Sequence, residues 1–164
     1  MASSDLSAFK MGIKPNGESL RIVVIVASWN QHITSNLLQG CIEALEELNV
    51  NKENILIEYV PGSFELPLGA KWMIQKYRPD AAICLGCVIK GETYHFELVS
   101  DTCARGIMQV SLDSDIPVVM GVLSDYSEQQ SIDRSGGCKG NKGVEAAYTA
   151  VQMAVIAKNY RLSS

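Results

Sequence analysis

Short apolar runs alternate along the chain with longer segments in which apolar residues recur every three or four positions. The runs are rich in β-branched residues and bounded by turn residues, which predicts strands, and the first of them, residues 21–28, is predicted to be buried on both faces. The segment after each run has the spacing of an amphipathic helix. The predicted strands are residues 21–28, 55–60, 81–89 and 117–123, and the predicted helices are approximately residues 34–48, 66–77, 94–112, 127–135 and 144–155.

Local signals predict where several of these elements begin and end. Thr34 or Ser35 is predicted to cap the first helix, because a hydroxyl can accept a hydrogen bond from the unpaired N–H groups there. Pro79 ends the second helix. Residues 136–143 combine four glycines with two lysines and predict a flexible, cationic loop. Residues 15–17 (Pro-Asn-Gly) predict a turn.

The alternation of strands and helices predicts an α/β fold. Right-handed connections between parallel strands place helices on both faces of the sheet. We therefore expect a three-layer sandwich with a four-stranded parallel sheet flanked by helices. Residues 1–20 are predicted to form an N-terminal arm, and residues 21–164 a single domain.

Composition narrows the class of protein. The 164 residues are 47% hydrophobic and 20% charged, as is typical of a globular protein of one domain. A net charge of −4 argues against a nucleic-acid partner. No apolar run is long enough to span a bilayer, and residues 1–17 lack the hydrophobic stretch of a signal peptide. A cytoplasmic protein without a membrane partner is expected.

Cysteine and histidine usage argues against a metal or disulfide framework. The cysteines are odd in number and scattered through apolar segments. Cys84 and Cys87 form a C-x-x-C inside a predicted strand, where small buried hydrophobic residues are expected rather than a metal or redox pair. Two histidines without a spaced carboxylate cluster predict no catalytic metal. The G-x-G-x-x-G and G-x-x-x-x-G-K-[ST] nucleotide motifs are absent from the sequence.

Unusual residues follow each predicted strand. These clusters are Trp29-Asn30, Ser63-Phe64-Glu65, residues 90–95, and the segment after Leu123. Ligands of parallel α/β sheets bind at the carboxyl ends of the strands, so we expect the clusters to lie close together. Residues 90–93 precede a helix whose N-terminal N–H groups suit an anion such as phosphate.

Each candidate side chain also has a structural interpretation. Trp29 and Phe64 could stack on a planar heterocycle or simply pack. Glu65 could accept hydrogen bonds from a polyhydroxylated ligand, or favour the start of a helix as a carboxylate near its dipole. Arg134 could bind phosphate bidentately or be a solvated surface charge.

The two histidines are expected to differ. His95 lies at the strand–helix junction, where an imidazole can exchange protons near neutral pH, although local capping is an alternative. The positive helix end favours the neutral ring and a bound phosphate favours the cation, so the sequence does not decide its charge. His32 is expected to lie on the surface or to cap a helix.

Five motifs, in order, resemble those of the lumazine synthase family. The matching segments extend over approximately residues 21–157 and are Trp29-Asn30, PGSFELP (61–67), GCVIKGETYHFE (86–97), PVVMGVL (117–123) and DRSGGCKGNKGVEAA (133–147). The resemblance implies a flavodoxin-like form of the predicted fold. It also implies condensation of 5-amino-6-(D-ribitylamino)uracil with 3,4-dihydroxy-2-butanone 4-phosphate to 6,7-dimethyl-8-ribityllumazine, without cofactor or metal.

The resemblance also implies a set of site residues, with His95 as the proton shuttle. Many family members have phenylalanine at the position of Trp29 and an aromatic residue at that of Met120. The residues expected to bind the ribitylaminouracil are Trp29, Asn30, Ser63, Phe64, Glu65, Cys87, Val88, Ile89 and Met120. The residues expected to bind the phosphate of the butanone are Gly91, Glu92, Thr93, Arg134 and Lys142.

Family members form pentamers, and some pack twelve pentamers into an icosahedral shell. The resemblance therefore implies a homo-oligomer with sites between subunits, Arg134 acting from the adjacent chain, and the N-terminal arm adding a strand to a neighbour. The short segment from Arg134 to Lys142 favours the shell of sixty subunits, and riboflavin synthase is a candidate partner. Two other functions stay open: a non-catalytic flavin-binding or shell-forming protein, suggested by Trp29, and a riboflavin synthase, which needs no phosphate site.

Overall fold

The architecture is a three-layer α/β sandwich, which confirms the predicted fold class. It is seen in a computed structural model that describes residues 14–162. The central sheet is parallel, with strand order β2-β1-β3-β4. Its strands are β1 (Ile22–Ala27), β2 (Ile55–Val60), β3 (Ala81–Ile89) and β4 (Val118–Asp125).

Helices cover both faces of this sheet because the central strands are apolar on both sides. One face of β1 packs into a core layer with α1 and α5, and the other packs against α2 and α3. Short 3₁₀ turns at Lys52–Asn54 and Ser63–Glu65 precede β2 and α2. The helices are α1 (Gln31–Glu47), α2 (Leu66–Tyr77), α3 (His95–Ser114), α4 (Glu128–Arg134) and α5 (Lys142–Leu162).

The first helix begins three residues before the predicted start, and the predicted cap is wrong. Thr34 is a buried residue inside α1 rather than its cap. Asn30 precedes the helix in the left-handed conformation, with φ 56°, and its carbonyl accepts hydrogen bonds from the N–H groups of Ile33 and Thr34. Asparagine is one of the few non-glycine residues that adopt this conformation at low cost.

Residues 136–143 are more ordered than the predicted flexible loop. Ser135–Gly137 (β5) and Gly140–Asn141 (β6) form a small antiparallel hairpin, and α5 begins at Lys142. Gly136 and Gly140 have positive φ angles of 116° and 83°, which glycine accepts without strain. The Asn141 side chain donates to the Asn36 carbonyl (2.9 Å) and accepts from the Gly143 N–H (2.8 Å), so it ties the hairpin to α1 and α5.

The described part of the predicted arm lies on the domain. Leu20 is buried in the core, and the Gly17 N–H donates to the Leu48 carbonyl at 2.7 Å. The predicted turn is shifted toward the C-terminus, because the Leu20 N–H closes a turn with the Gly17 carbonyl at 2.9 Å. Residues 1–13, on which strand addition to a neighbour depends, lie outside the described residues, so that role stays a prediction.

The cysteines behave as small apolar residues at four of five positions. Cys41, Cys84, Cys87 and Cys103 are buried free thiols, and Cys138 is exposed. Burial raises the pKa of Cys41 to about 12 and that of Cys103 to about 11, so both stay protonated. Among residues 14–162, no group of three or more His, Cys, Asp or Glu side chains is placed to hold a metal ion. The helices of this part of the chain are also too short or too polar to cross a membrane.

Candidate active site

The strand order reverses between the carboxyl ends of β1 and β3, and we call this edge of the sheet the crevice. The chain passes from β1 to β2 on one side of the sheet and to β3 on the other. The side-chain amide of Asn30, just beyond β1, donates to the Cys87 carbonyl near the end of β3 at 3.0 Å. Such a switch point is where ligands bind in this type of sheet. The structure therefore brings Asn30 and Cys87, both among the expected site residues, into contact.

Two aromatic side chains, Trp29 after β1 and Phe64 after β2, face the solvent. Trp29 is 73% exposed and Phe64 is 55% exposed. The Trp29 N–H donates to the Pro61 carbonyl at 3.0 Å, which fixes the backbone of Trp29 beside the turn after β2. Core packing therefore does not account for either ring, and both remain able to stack on a planar ligand.

Glu65 has the structural role that its position at a helix start suggests. Its Oε2 accepts a hydrogen bond from the Gly62 N–H at 2.9 Å, which closes the 3₁₀ turn ahead of α2. The side chain is only partly buried. The bond uses one carboxylate oxygen and fixes the direction of the group, so capping and ligand binding by the other oxygen are compatible.

Ser63 is a buried polar residue at the same turn. It is 6% exposed, and among the described residues its Oγ has no hydrogen-bond partner. Gly86 on β3 lies directly against it, because a Cβ at position 86 would approach the Ser63 Oγ to 2.6 Å. Gly86 is not among the site residues predicted from the sequence, although a glycine inside an otherwise apolar strand is the signal of such a close approach.

The turn after β3 is exposed from Gly91 to His95. The helix α3 begins at His95, so the N–H groups of its first turn and the imidazole lie at the same end of the helix. A Cβ at Gly91 would meet nothing within 4 Å, which leaves open space beside this turn. The predicted combination of a helix N-terminus with an accessible histidine is therefore present.

Lys90 is fixed beside this turn by contacts that the sequence did not reveal. Its Nζ donates to Glu97 Oε1 at 2.8 Å and lies 5.8 Å and 5.3 Å from the ring centroids of Phe96 and Tyr126. The hydrogen bond raises the pKa of Lys90 and lowers the pKa of Glu97, so both groups are charged at neutral pH. Lys90 thus places a positive charge at the start of the turn.

A buried polar network lies at the end of β4. Asp125 is 8% exposed and Ser131 is fully buried. The Ser131 hydroxyl donates to Asp125 Oδ2 at 2.9 Å and accepts from the Cys87 thiol at 3.3 Å. Burial raises the pKa of the Cys87 thiol, which keeps it protonated as the donor. Arg134 Nη1 lies 3.9 Å from Asp125 Oδ1, so the structure brings Arg134 to this edge of the sheet.

Two predicted site residues do not join these clusters within one chain. Met120 lies in the middle of β4, opposite Cys84, and packs toward the α2–α3 layer. Lys142 begins α5 and forms an ion pair with Glu145 at 2.5 Å. Val88 and Ile89, in contrast, are half-buried at the end of β3 beside the crevice.

His32 lies on the surface, as predicted. It is on the first turn of α1, and its Nε2 lies 2.7 Å from Glu128 Oε1 on α4. Both side chains are more than half exposed. This contact joins two helices near the crevice, but it places no histidine inside it.

Comparison with known proteins identifies the family. The family model for 6,7-dimethyl-8-ribityllumazine synthase matches residues 19–158. Proteins of that name from Flavobacterium psychrophilum and Flavobacterium johnsoniae are 47% and 45% identical over 161 residues, which is 98% of this chain and 85% of each relative. The protein of that name from Cytophaga hutchinsonii is 45% identical over 152 residues, 93% of this chain and 95% of the relative. With a match that covers both the sheet and the residues at its carboxyl edge, the chain belongs to the 6,7-dimethyl-8-ribityllumazine synthase family.

Proposed function

We propose that the protein catalyses the penultimate step of riboflavin biosynthesis. It condenses 5-amino-6-(D-ribitylamino)uracil with 3,4-dihydroxy-2-butanone 4-phosphate to 6,7-dimethyl-8-ribityllumazine, and it releases phosphate and water. The observation that carries this proposal is the convergence, at one edge of the sheet, of exposed aromatic rings with the His95 end of α3. Family membership supports the same reaction.

The pyrimidine substrate is placed at the crevice between β1 and β3. Its flat ring stacks on Trp29, and its polar edge meets backbone groups at the end of β3 near Cys87 and Ile89. The Asn30 amide supports this site because it holds the Cys87 carbonyl. Phe64 adds an exposed apolar surface, and Glu65 accepts hydrogen bonds from the ribityl hydroxyls.

The butanone phosphate is placed at the N-terminal end of α3. Backbone N–H groups after Gly91 and the helix dipole favour the dianion there. The absence of neighbouring atoms within 4 Å of a Cβ at Gly91 supports this placement. Arg134 supplies a bidentate cation from the adjacent subunit. This chain does not bring Lys142 or Met120 to its own crevice, so both are assigned to the contact between subunits, Lys142 at the phosphate and Met120 at the lining of the pyrimidine site.

The reaction needs proton transfer and alignment of two substrates. The ring amine attacks the ketone and loses water to give an imine, phosphate then leaves, and the resulting enol tautomerises. The second amine closes the ring on the remaining carbonyl with loss of water. His95, exposed at the start of α3, moves protons in these steps. Holding the two substrates in register supplies much of the acceleration. In this scheme no cofactor or metal takes part.

Turnover is tested directly with the purified protein and both intact substrates. The lumazine product is fluorescent, so its formation can be followed continuously, with a chelator present to remove metal ions. The expected result is product formation that depends on both substrates. No product would contradict the proposal, and tight flavin binding without product would instead support a non-catalytic binder.

We also propose that the protein is a homo-oligomer, a pentamer or a shell of pentamers. Two pairs of large apolar side chains on α2 and α3 are exposed at i, i+4 spacing: Leu68 with Trp72, and Met108 with Leu112. A groove of about 520 Å3 lies between these helices and includes Pro67 and Val110. Soluble monomers rarely leave so much apolar surface uncovered. Riboflavin synthase remains a candidate partner on the family resemblance.

A charge placed on this face is expected to break the assembly. Leu112 is 71% exposed in the single chain, so Leu112→Glu costs little in the fold but buries a carboxylate at the proposed contact. Light scattering should give the mass of five or sixty chains for the unmodified protein and a much smaller mass for the variant. Met153→Glu, on α5 in the opposite layer, is the matched control and should keep the full mass. A monomeric unmodified protein would contradict the proposal.

A further inference from the structure

The buried polar network at the end of β4 needs an explanation that packing does not give. Asp125 is a nearly buried carboxylate, and a buried charge is costly unless it is paired and hydrogen-bonded. Ser131 supplies one hydrogen bond at 2.9 Å, and Arg134 lies 3.9 Å from the other carboxylate oxygen. The only formal charge within 4 Å of this carboxylate, among the ion pairs of the described residues, is therefore the guanidinium of Arg134.

Two groups contact one nitrogen of the Arg134 guanidinium. Its Nη1 donates to the Gln130 carbonyl at 3.3 Å and faces Asp125 Oδ1, while the side chain remains 37% exposed. A guanidinium has five donors in a rigid plane, so fixing one nitrogen orients the remaining donors. A free arginine side chain would instead lose rotamer freedom each time that it bound an anion.

The network also reaches the pyrimidine side of the crevice. The Ser131 hydroxyl that holds Asp125 accepts from the Cys87 thiol, and the carbonyl of Cys87 accepts from Asn30. Cys87 and Ser131 are 44 residues apart in the chain and belong to β3 and α4. The placement of α4, and with it Arg134, is thus tied to β3, whose carboxyl end borders the crevice.

We propose that Asp125, held in place by Ser131, is a positioning residue that presets the Arg134 guanidinium for the phosphate of the butanone substrate. This inference rests on the proposed function, in which Arg134 binds that phosphate. Asp125 and Arg134 belong to the same chain, so the effect is the same when Arg134 reaches the site of an adjacent subunit. Asp125 itself does not touch the substrate.

Two effects of Asp125 on phosphate binding have opposite signs. Its negative charge reduces the attraction of Arg134 for an anion, so removing the charge alone would tighten phosphate binding. Its contact with the guanidinium preorganises the N–H donors that bind phosphate, so removing the contact would weaken phosphate binding. We expect the positioning effect to be the larger of the two. The guanidinium is partly exposed, so solvent screens the charge of Asp125, whereas solvent does not orient the guanidinium once the contact is lost.

The test compares Asp125→Asn in two backgrounds. In the otherwise unmodified protein, we expect the KM for the butanone phosphate to rise about tenfold, and the KM for the ribitylaminouracil to change less than about twofold. In an Arg134→Lys background, no planar guanidinium remains to be oriented. Asp125→Asn should then change either KM less than about twofold. The non-additivity of the two substitutions measures the coupling between Asp125 and Arg134.

Two further variants separate positioning from fold and from general charge. Ser131→Ala keeps the carboxylate but frees it, and should raise the same KM by a smaller factor. Asp133→Asn removes an equal charge from the residue that precedes Arg134. The Asp133 carboxylate accepts a hydrogen bond from Gln129, and this variant should leave both KM values unchanged. If Asp125→Asn does not fold, as judged by circular dichroism and light scattering, Ser131→Ala carries the test with the same expected selectivity.

Binding of inorganic phosphate to the same variants provides a readout that does not need turnover. Titration calorimetry should show weaker phosphate binding in Asp125→Asn than in Asp133→Asn or the unmodified protein. If the unmodified protein makes no lumazine, the proposed function fails while this series still decides the coupling. The inference is overturned if phosphate does not bind, if Asp125→Asn binds it equally or more tightly, or if its effect is the same with lysine at position 134.

Discussion

Replacing His95 with alanine is expected to lower kcat about a hundredfold without unfolding the protein. His95 is the first residue of α3 and its side chain is exposed, so removal of the imidazole leaves no cavity. General acid–base catalysis by a positioned side chain contributes about 10² to 10⁴ in rate, and the remaining acceleration comes from alignment of the substrates. Steady-state formation of the fluorescent product gives kcat, and circular dichroism checks the fold.

His32 provides the matched control for this experiment. It is the second histidine of the chain, it is also exposed, and it lies on the first turn of the helix after β1. His32→Ala removes only a surface contact with Glu128 and should change kcat less than about twofold. An unchanged rate in His95→Ala, or equal losses in the two variants, would remove the role assigned to His95.

A single methyl group at Gly143 is expected to cause the largest loss of stability. A Cβ there would lie 1.9 Å from the Leu37 carbonyl oxygen and 2.8 Å from the carbonyl carbon. Both atoms belong to the backbone of α1, so relief requires α1 and α5 to move apart rather than a side chain to rotate. We expect Gly143→Ala to lower the free energy of unfolding by about 3 kcal/mol or more, the upper range for overpacking. Urea titration measures the change.

Gly91→Ala introduces the same methyl group where it has no neighbour within 4 Å. Its free energy of unfolding should stay within about 0.5 kcal/mol of the unmodified protein, as for other surface substitutions. Both titrations should be repeated at several protein concentrations, because subunit dissociation contributes to apparent stability. Equal stability of the two variants would show that α1 and α5 accommodate the methyl group.

The central strands β1 and β3 were predictable from the sequence because burial on both faces replaces the alternation of apolar and polar residues by a continuous apolar run. The predicted third strand, residues 81–89, agrees with β3 as observed. The start of α1 was not predictable in the same way, since Asn30 stabilises it through its backbone carbonyl and makes no side-chain cap. Thr34, which resembles a cap in sequence, is buried inside the helix.

The hairpin at residues 135–141 shows a limit of local sequence information. Its glycines are equally compatible with a flexible loop, and the residue that orders it, Asn141, bonds to Asn36, 105 positions earlier. Only the packing of α1 against α5 reveals this contact. A prediction from glycine content alone therefore misses the hairpin.

Site residues that follow the ends of strands were predictable from the sequence, whereas the contacts between side chains at the site were not. Trp29, Ser63 and the turn before His95 each follow an apolar run, so topology alone brings them to one edge. Asp125 also follows such a run, but its partners lie on α4 and cannot be identified without the fold. The Lys90–Glu97 contact spans seven residues across a turn and a helix start, where no fixed spacing applies.

Two adjacent residues at the end of β1 differ in how freely they can evolve. Trp29 projects its ring into solvent, so other aromatic or apolar residues at this position would leave the domain intact. Asn30 combines a left-handed backbone with an amide that holds β3, so almost any replacement would both strain the chain and release the strand. In the proposed site, ligand preference can therefore drift at Trp29 while Asn30 keeps β1 and β3 in register, so Trp29 is the residue we would vary first to alter the preferred ring.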